Sequence, residues 1–290
     1  MTVLVLAGHP TVVDARDKVN VFVSITPQAY FVDRIGGDLV HTEVLVGPGQ
    51  SPETYDLTFL QMSKLAACDV YFRIGVPFEN HLLGKLSKNM PDLNISNSVE
   101  SIKLRVMENT LDENNHAHDA THAHGATDPH VWLDPLLVKV IAENIFNELS
   151  RIDPEHKNNY TINLTAFLND LDSLDKKIAT TLEPYKGGSF IVFHPTLGYF
   201  ADRYGLKQMA VEIEGKEPGA RQLVELIEIA GESGAKTIFV QPQFSSKSAR
   251  RIAEAIGGNV ETLDGLAYDY FSNMNDITRK LTEGFEIGKR

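Results

Sequence analysis

The chain has 290 residues, 42% hydrophobic and 23% charged, with 27 Lys+Arg against 39 Asp+Glu for a net charge of −12. That length exceeds one small domain, the apolar share excludes wholesale disorder, and the negative charge argues against nucleic-acid or anionic-lipid partners while favouring cations. One cysteine, Cys68, excludes both a disulfide framework and a cysteine-based zinc site.

Residues 1–18 read as a shortened signal segment or as a plain disordered start. Thr2-Val3-Leu4-Val5-Leu6-Ala7-Gly8 is apolar, but no Lys or Arg precedes it. Val19–Ile25 is β-rich and predicts a strand, and Pro27 opens a helix that stops at Gly36-Gly37. A second strand follows at Thr42–Val46 and is broken by Gly47-Pro48-Gly49. Thr58 and Gln61 form a capping box for a helix near 58–67. Cys68, after Leu65-Ala66-Ala67, reads as a small buried residue. Val70–Ile74 predicts a third strand, and 78–88 another helix. No stretch reaches the ~20 apolar residues of a membrane-spanning helix.

Residues 109–129 have almost no bulky apolar side chain and predict a mobile loop, rich in histidine over 112–125. One helix ends at Asn144–Leu149. A longer one is expected from Asp153-Pro154 to Leu182, with Asp153 as N-cap. Tyr160, Leu164, Phe167, Leu171, Leu174, Ile178 and Leu182 recur every three or four residues, one apolar stripe along a rod of ~45 Å. Past Gly187-Gly188 strands are predicted at 189–193, 207–211, 237–240 and 260–263, with helices at 197–204, 219–233, 246–256 and 270–287. The expected fold is α/β: two lobes with parallel sheets flanked by helices, at 19–150 and 185–290, joined by a linker helix at 151–184.

His130 lies between two Asp-Pro pairs in Asp128-Pro129-His130-Val131-Trp132-Leu133-Asp134-Pro135, a stiff, non-helical setting. That suits a metal ligand or a packing histidine in a turn. His194 follows the strand Ile191-Val192-Phe193, Asp264 ends the last strand, and Glu53 lies in the loop beyond the second. Ligands of open α/β sheets bind at the carboxyl ends of strands. Two histidines and two carboxylates in such positions favour a metal site. His41, His81 and His156 read as solvated. Glu212-Ile213-Glu214-Gly215-Lys216-Glu217 reads as a solvated acidic loop or a docking surface. Gly47-Pro48-Gly49 lacks the Lys-Ser/Thr of a phosphate loop, and no His-Glu-x-x-His motif is present.

In order along residues 19–285, the segments Val23-Ser24-Ile25-Thr26-Pro27, Val46-Gly47-Pro48-Gly49-Gln50-Ser51-Pro52-Glu53-Thr54-Tyr55, Asp128–Pro135, Phe193-His194-Pro195, Tyr199–Leu206 and Leu263-Asp264-Gly265-Leu266 resemble the cluster A-I substrate-binding proteins of bacterial zinc and manganese ABC importers, the ZnuA/TroA type. The resemblance implies two lobes bridged by a rigid helix, with metal between them. It places the second, third and fourth ligands on His130, His194 and Asp264. The first, usually His, is Glu53 here. Gln241 and Gly265 stand where Glu and Pro are common. A carboxylate at position 53 hardens the site toward Mn²⁺ or Fe²⁺, while a His at the third position goes with zinc in this family.

The loop histidines His116, His118, His122 and His124 form an auxiliary weak chelator, as in zinc-type members, or a solvated spacer. The expected function is an extracytoplasmic, periplasmic receptor, monomeric and not an enzyme. It captures Zn²⁺ and delivers it to an ABC permease. A Mn²⁺/Fe²⁺ receptor and a metallohydrolase are the alternatives. Two imidazoles that titrate near ~6.5 predict that binding weakens below roughly pH 6.

Overall fold

The computed structural model describes residues 18–107, 127–212 and 218–289. The expected signal segment therefore falls almost wholly outside the described residues, as do the four loop histidines and residues 213–217.

The first half runs β1 (Val19–Ile25), α1 (Thr26–Gly36), β2 (Val40–Val46), α2 (Phe59–Leu65), β3 (Val70–Arg73), α3 (Phe78–Asn89) and β4 (Ile95–Asn97). Its strands are parallel in the order β2-β1-β3-β4. The inner strands are covered on both faces, which is why Val21-Phe22-Val23 and Val70-Tyr71-Phe72 are unbroken apolar runs. Thr58 caps α2 with its side chain on the Gln61 N–H, as expected from the sequence. β4 was not anticipated. Its three residues, Ile95-Ser96-Asn97, lie half-buried at the sheet edge and lack an apolar run.

Two helices follow, α4 (Pro135–Ile152) and α5 (Lys157–Leu182). α5 starts later than expected. Asp153 does not cap it; its carboxylate bonds His156 Nδ1 (2.7 Å) and the Tyr160 hydroxyl (2.7 Å), and Pro154–His156 form a 3-10 turn. The 26 residues that remain make a rod of ~39 Å. All seven stripe residues are buried, Tyr160 through Leu182.

The second half repeats the first: β5 (Ser189–Val192), α6 (Gly198–Tyr204), β6 (Lys207–Ala210), α7 (Ala220–Ser233), β7 (Thr237–Val240), α8 (Lys247–Ala255), β8 (Asn259–Thr262) and α9 (Tyr270–Gly288). Its parallel order is β6-β5-β7-β8. α9 turns back onto α5, and α1 and α4 pack on the same rod. One apolar cluster therefore runs through both halves, and a smaller one lies under α7 and α8. Cys68 is only partly buried, and burial pushes its thiol up to about 11. Among the described residues no helix is long and apolar enough to cross a membrane.

Phe167 of α5 is fully buried, with its ring 6.0 Å from Phe31 of the first half and 6.1 Å from Phe271 of the second. Phe167→Ala should cost about 3–5 kcal/mol. Chemical unfolding monitored by circular dichroism should show that loss. A cost under about 1 kcal/mol would mean the halves do not share a core through this rod.

Candidate metal centre

At the carboxyl end of β5 the chain turns out of the sheet at His194. The β5–β6 ladder continues one step further, since Val211 donates to the Val192 carbonyl (2.9 Å) and Glu212 to the Phe193 carbonyl (2.9 Å). That step sets Glu212 beside His194. Both Glu212 oxygens face His194 Nδ1, at 3.1 and 3.2 Å. Glu212 is only 6% exposed, so this residue belongs to neither a solvated loop nor a docking surface. From the end of β7, Gln241 holds the His194 backbone on both sides. Its Oε1 accepts from His194 N (3.2 Å) and its Nε2 donates to His194 O (2.8 Å). Phe244 stacks on the imidazole, centroids 4.8 Å apart.

His130 is held by the same kind of device. Asp128 Oδ1 accepts from the His130 backbone N–H (3.0 Å) and bonds its Nδ1 (2.8 Å). Asp134 caps α4 on the Leu136 N–H, and Pro135 occupies the first helical turn. The segment between the two Asp-Pro pairs is buried throughout. Trp132 anchors it across the molecule, donating from Nε1 to the Gly265 carbonyl (2.8 Å), while its ring lies 5.2 Å from His130.

In each ring Nδ1 is engaged from behind by a carboxylate, which leaves Nε2 as the forward donor. The two imidazoles meet edge to face, centroids 5.3 Å apart. Glu53 enters from the loop after β2, with Oε1 3.6 Å from His194 Nε2. Donor atoms of Glu53, His130 and His194 all lie within 4.8 Å of one another. They line a cavity of ≈ 30 Å³ together with Trp132, Phe244 and Leu266. Two imidazoles and a carboxylate at this spacing suit Zn²⁺ or another first-row divalent ion.

Asp264 is not one of the three. It follows β8 and its Oδ1 accepts from the Leu266 N–H (2.8 Å), while its neighbours Gly265 and Leu266 line the cavity. His41 and His81 are exposed, and His156 is paired with Asp153. Sequence reasoning passed over Asp128 and Glu212. Asp128 stood two residues before His130 but was read only as a rigid bracket. Glu212 was hidden in an acidic run, and its place at the end of a strand adjacent to β5 was the signal available.

The chain matches the family described as ZnuA, zinc-uptake complex component A periplasmic, over residues 21–284. It belongs to that family. A crystal structure of ZnuA matches it with a TM-score of 0.85 and 39% identity, covering 92% of this chain and 99% of the other. The high-affinity zinc uptake system protein ZnuA of Yersinia pestis is 28% identical over 279 residues, 89% of this chain and 88% of that protein. The zinc-binding lipoprotein AdcA of Streptococcus pneumoniae is 28% identical over 259 residues, 87% of this chain; the chain spans 51% of AdcA's length.

In this member of the ZnuA family the carboxylates around His194 also set its protonation. Burial alone would lower the His194 imidazole; hydrogen bonds with Glu212 and then Glu53 outweigh it and push the group up to about 9. Burial would raise Glu53, but the His194 imidazole holds it below the usual carboxylate range. Burial would likewise raise Asp128, and His130 holds it down. The pH window expected from free imidazoles therefore moves upward at His194. A cation must displace that proton, so binding near pH 7.5 should release about one proton from this residue. Calorimetry in buffers of different ionisation heat measures the release. The metal-free fold carries the opposite sign. The ion pair stabilises it fully below ~6.5 and is lost as pH rises through about 9. Metal affinity should thus climb from pH 7 to 9 while metal-free thermal stability falls. Affinity already flat above pH 7 would contradict this protonation state.

Proposed function

We propose that the chain is an extracytoplasmic substrate-binding protein that captures Zn²⁺ as cargo and hands it to an ABC permease. The observation that carries the reading is the convergence of Glu53, His130 and His194 from separate elements on one cavity of ≈ 30 Å³. A space of that size takes one ion with little water. Three converging donors with Asp264 as a fourth would leave no open coordination position for a reacting water, so the reading is a receptor and not a metallohydrolase. Family membership and the zinc-related names of its relatives support zinc over other cations.

Glu53, His130 and His194 form the proposed ligand set, with Asp264 as the fourth ligand once its carboxylate leaves the Leu266 N–H. Two carboxylates and two neutral imidazoles would balance a dication in a partly desolvated cleft. The protein is proposed to work in the periplasm as a monomer. The lobes are taken as 19–150 and 185–290 about a linker at 151–184, with residues 1–18 as a signal remnant. His116, His118, His122 and His124 would add weak sites of their own.

Glu53 keeps a second reading in play, a Mn²⁺ or Fe²⁺ receptor, because a carboxylate is the harder donor. Competition calorimetry on purified protein tests all of this. Zinc should bind tightly at about one equivalent, His130→Ala and His194→Ala should each weaken it by orders of magnitude, and Asp264→Ala by less. Glu53→His should tilt the Zn²⁺/Mn²⁺ ratio toward zinc. Unchanged affinity in both histidine variants would remove the cleft as the site, and a preference for Mn²⁺ would establish the second reading.

A further inference from the structure

We propose that Arg105 is a positioning residue for the cargo ion, acting on His130 through Asp128 and tying that ligand to the second half of the molecule. The inference rests on the zinc-receptor reading above.

Asp128 uses one oxygen for His130 and the other for Arg105: Oδ1 holds His130, and Oδ2 lies 3.2 Å from Arg105 Nη1. The guanidinium reaches further. Its Nε lies 3.0 Å from Asp202 Oδ2 on α6, and its carbon sits 5.8 Å from the centroid of the Tyr199 ring. Tyr199 closes the circuit, its hydroxyl accepting from the Arg105 N–H (3.0 Å) and donating to the Asp128 carbonyl (2.9 Å). The Arg105 carbonyl accepts from the Asp128 N–H (2.9 Å), next to the Val106–Thr127 bridge. Arg105 belongs to the first half; Tyr199 and Asp202 belong to the second.

Gly198 is fitted to this arrangement. A Cβ there would fall on the Arg105 guanidinium and 2.7 Å from Asp128 Oδ2. The Asp128 carboxylate is fully buried, so it cannot trade Arg105 for water without moving, while the Arg105 side chain is 12% exposed. A planar fork serves two carboxylates at once, which a lysine ammonium on a flexible stem does not reproduce. Without Arg105, Asp128 loses its second anchor and His130 Nε2 loses its fixed aim at the ion. Losing the direct outer partner of a metal-binding histidine, here Asp128, costs about 10–100-fold in affinity, and Arg105, one contact further out, should cost less.

The test is zinc affinity by chelator competition in the full chain, with the visible spectrum of the Co²⁺-loaded protein as a readout of ligand geometry. Arg105→Ala should bind zinc about three- to tenfold more weakly and change the Co²⁺ bands, and Arg105→Lys should recover part of the loss. In a His130→Ala background Arg105→Ala should cost little more, because its effect runs through that ring. Should Arg105→Ala fail to fold, Arg105→Lys and Gly198→Ala carry the same comparison. Affinity within twofold of wild type, or an equal loss with and without His130, overturns the proposal while leaving the receptor intact. A wild-type chain whose zinc binding ignores His130 and His194 overturns the receptor reading, and this inference with it.

Discussion

Two buried imidazoles, each pinned from behind by a carboxylate, are the constraint on which the site depends. Asp128 holds His130 and Glu212 holds His194, so both rings present Nε2 to one small space. Neither carboxylate is itself a member of the converging donor set. Their role is to fix ring orientation, and at His194 the carboxylates also raise the imidazole. The cost appears in the metal-free protein, where His194 keeps a proton at neutral pH between Glu212 and Glu53. That proton is the counter-charge of an anionic pocket waiting for a cation.

The scaffold explains how residues far apart in sequence hold such a geometry. His194 and Glu212 sit at the ends of adjacent parallel strands, so their spacing follows from sheet register. His130 rides on a rigid 3-10 turn and is tied to the second half by Trp132. Behind both lies α5, whose apolar stripe packs against elements from each half in one continuous core. A core shared in this way ties the two halves to one rod. Glu53 is the most exposed of the three donors and sits on a loop.

Much of this was legible in the amino-acid order. Alternating strands and helices, the Thr58–Gln61 cap and the seven-residue stripe on α5 each follow from local periodicity, and the structure reproduces them. His194 and Glu53 were legible because strand ends in α/β sheets collect ligands, and His130 because two Asp-Pro pairs bracket it. What escaped had a different cause in each case. β4 is too short for a pattern. Asp153 looked like a cap, but its partners, His156 and Tyr160, are reached only once the 3-10 turn has formed. Glu212 and Arg105 are charged residues that look solvated in sequence. Only tertiary packing shows that one lies beside His194 and the other against Asp128. Asp264 shows the converse, a residue in the expected loop whose carboxylate faces its own backbone.

One cation should be held where Glu53, His130 and His194 meet. Anomalous diffraction at the zinc edge, from crystals of the protein loaded with one equivalent of zinc, tests it most directly. A single strong peak is expected at ~2.0–2.2 Å from both Nε2 atoms and from a Glu53 oxygen. A dominant peak elsewhere, with these three side chains unliganded, would contradict it.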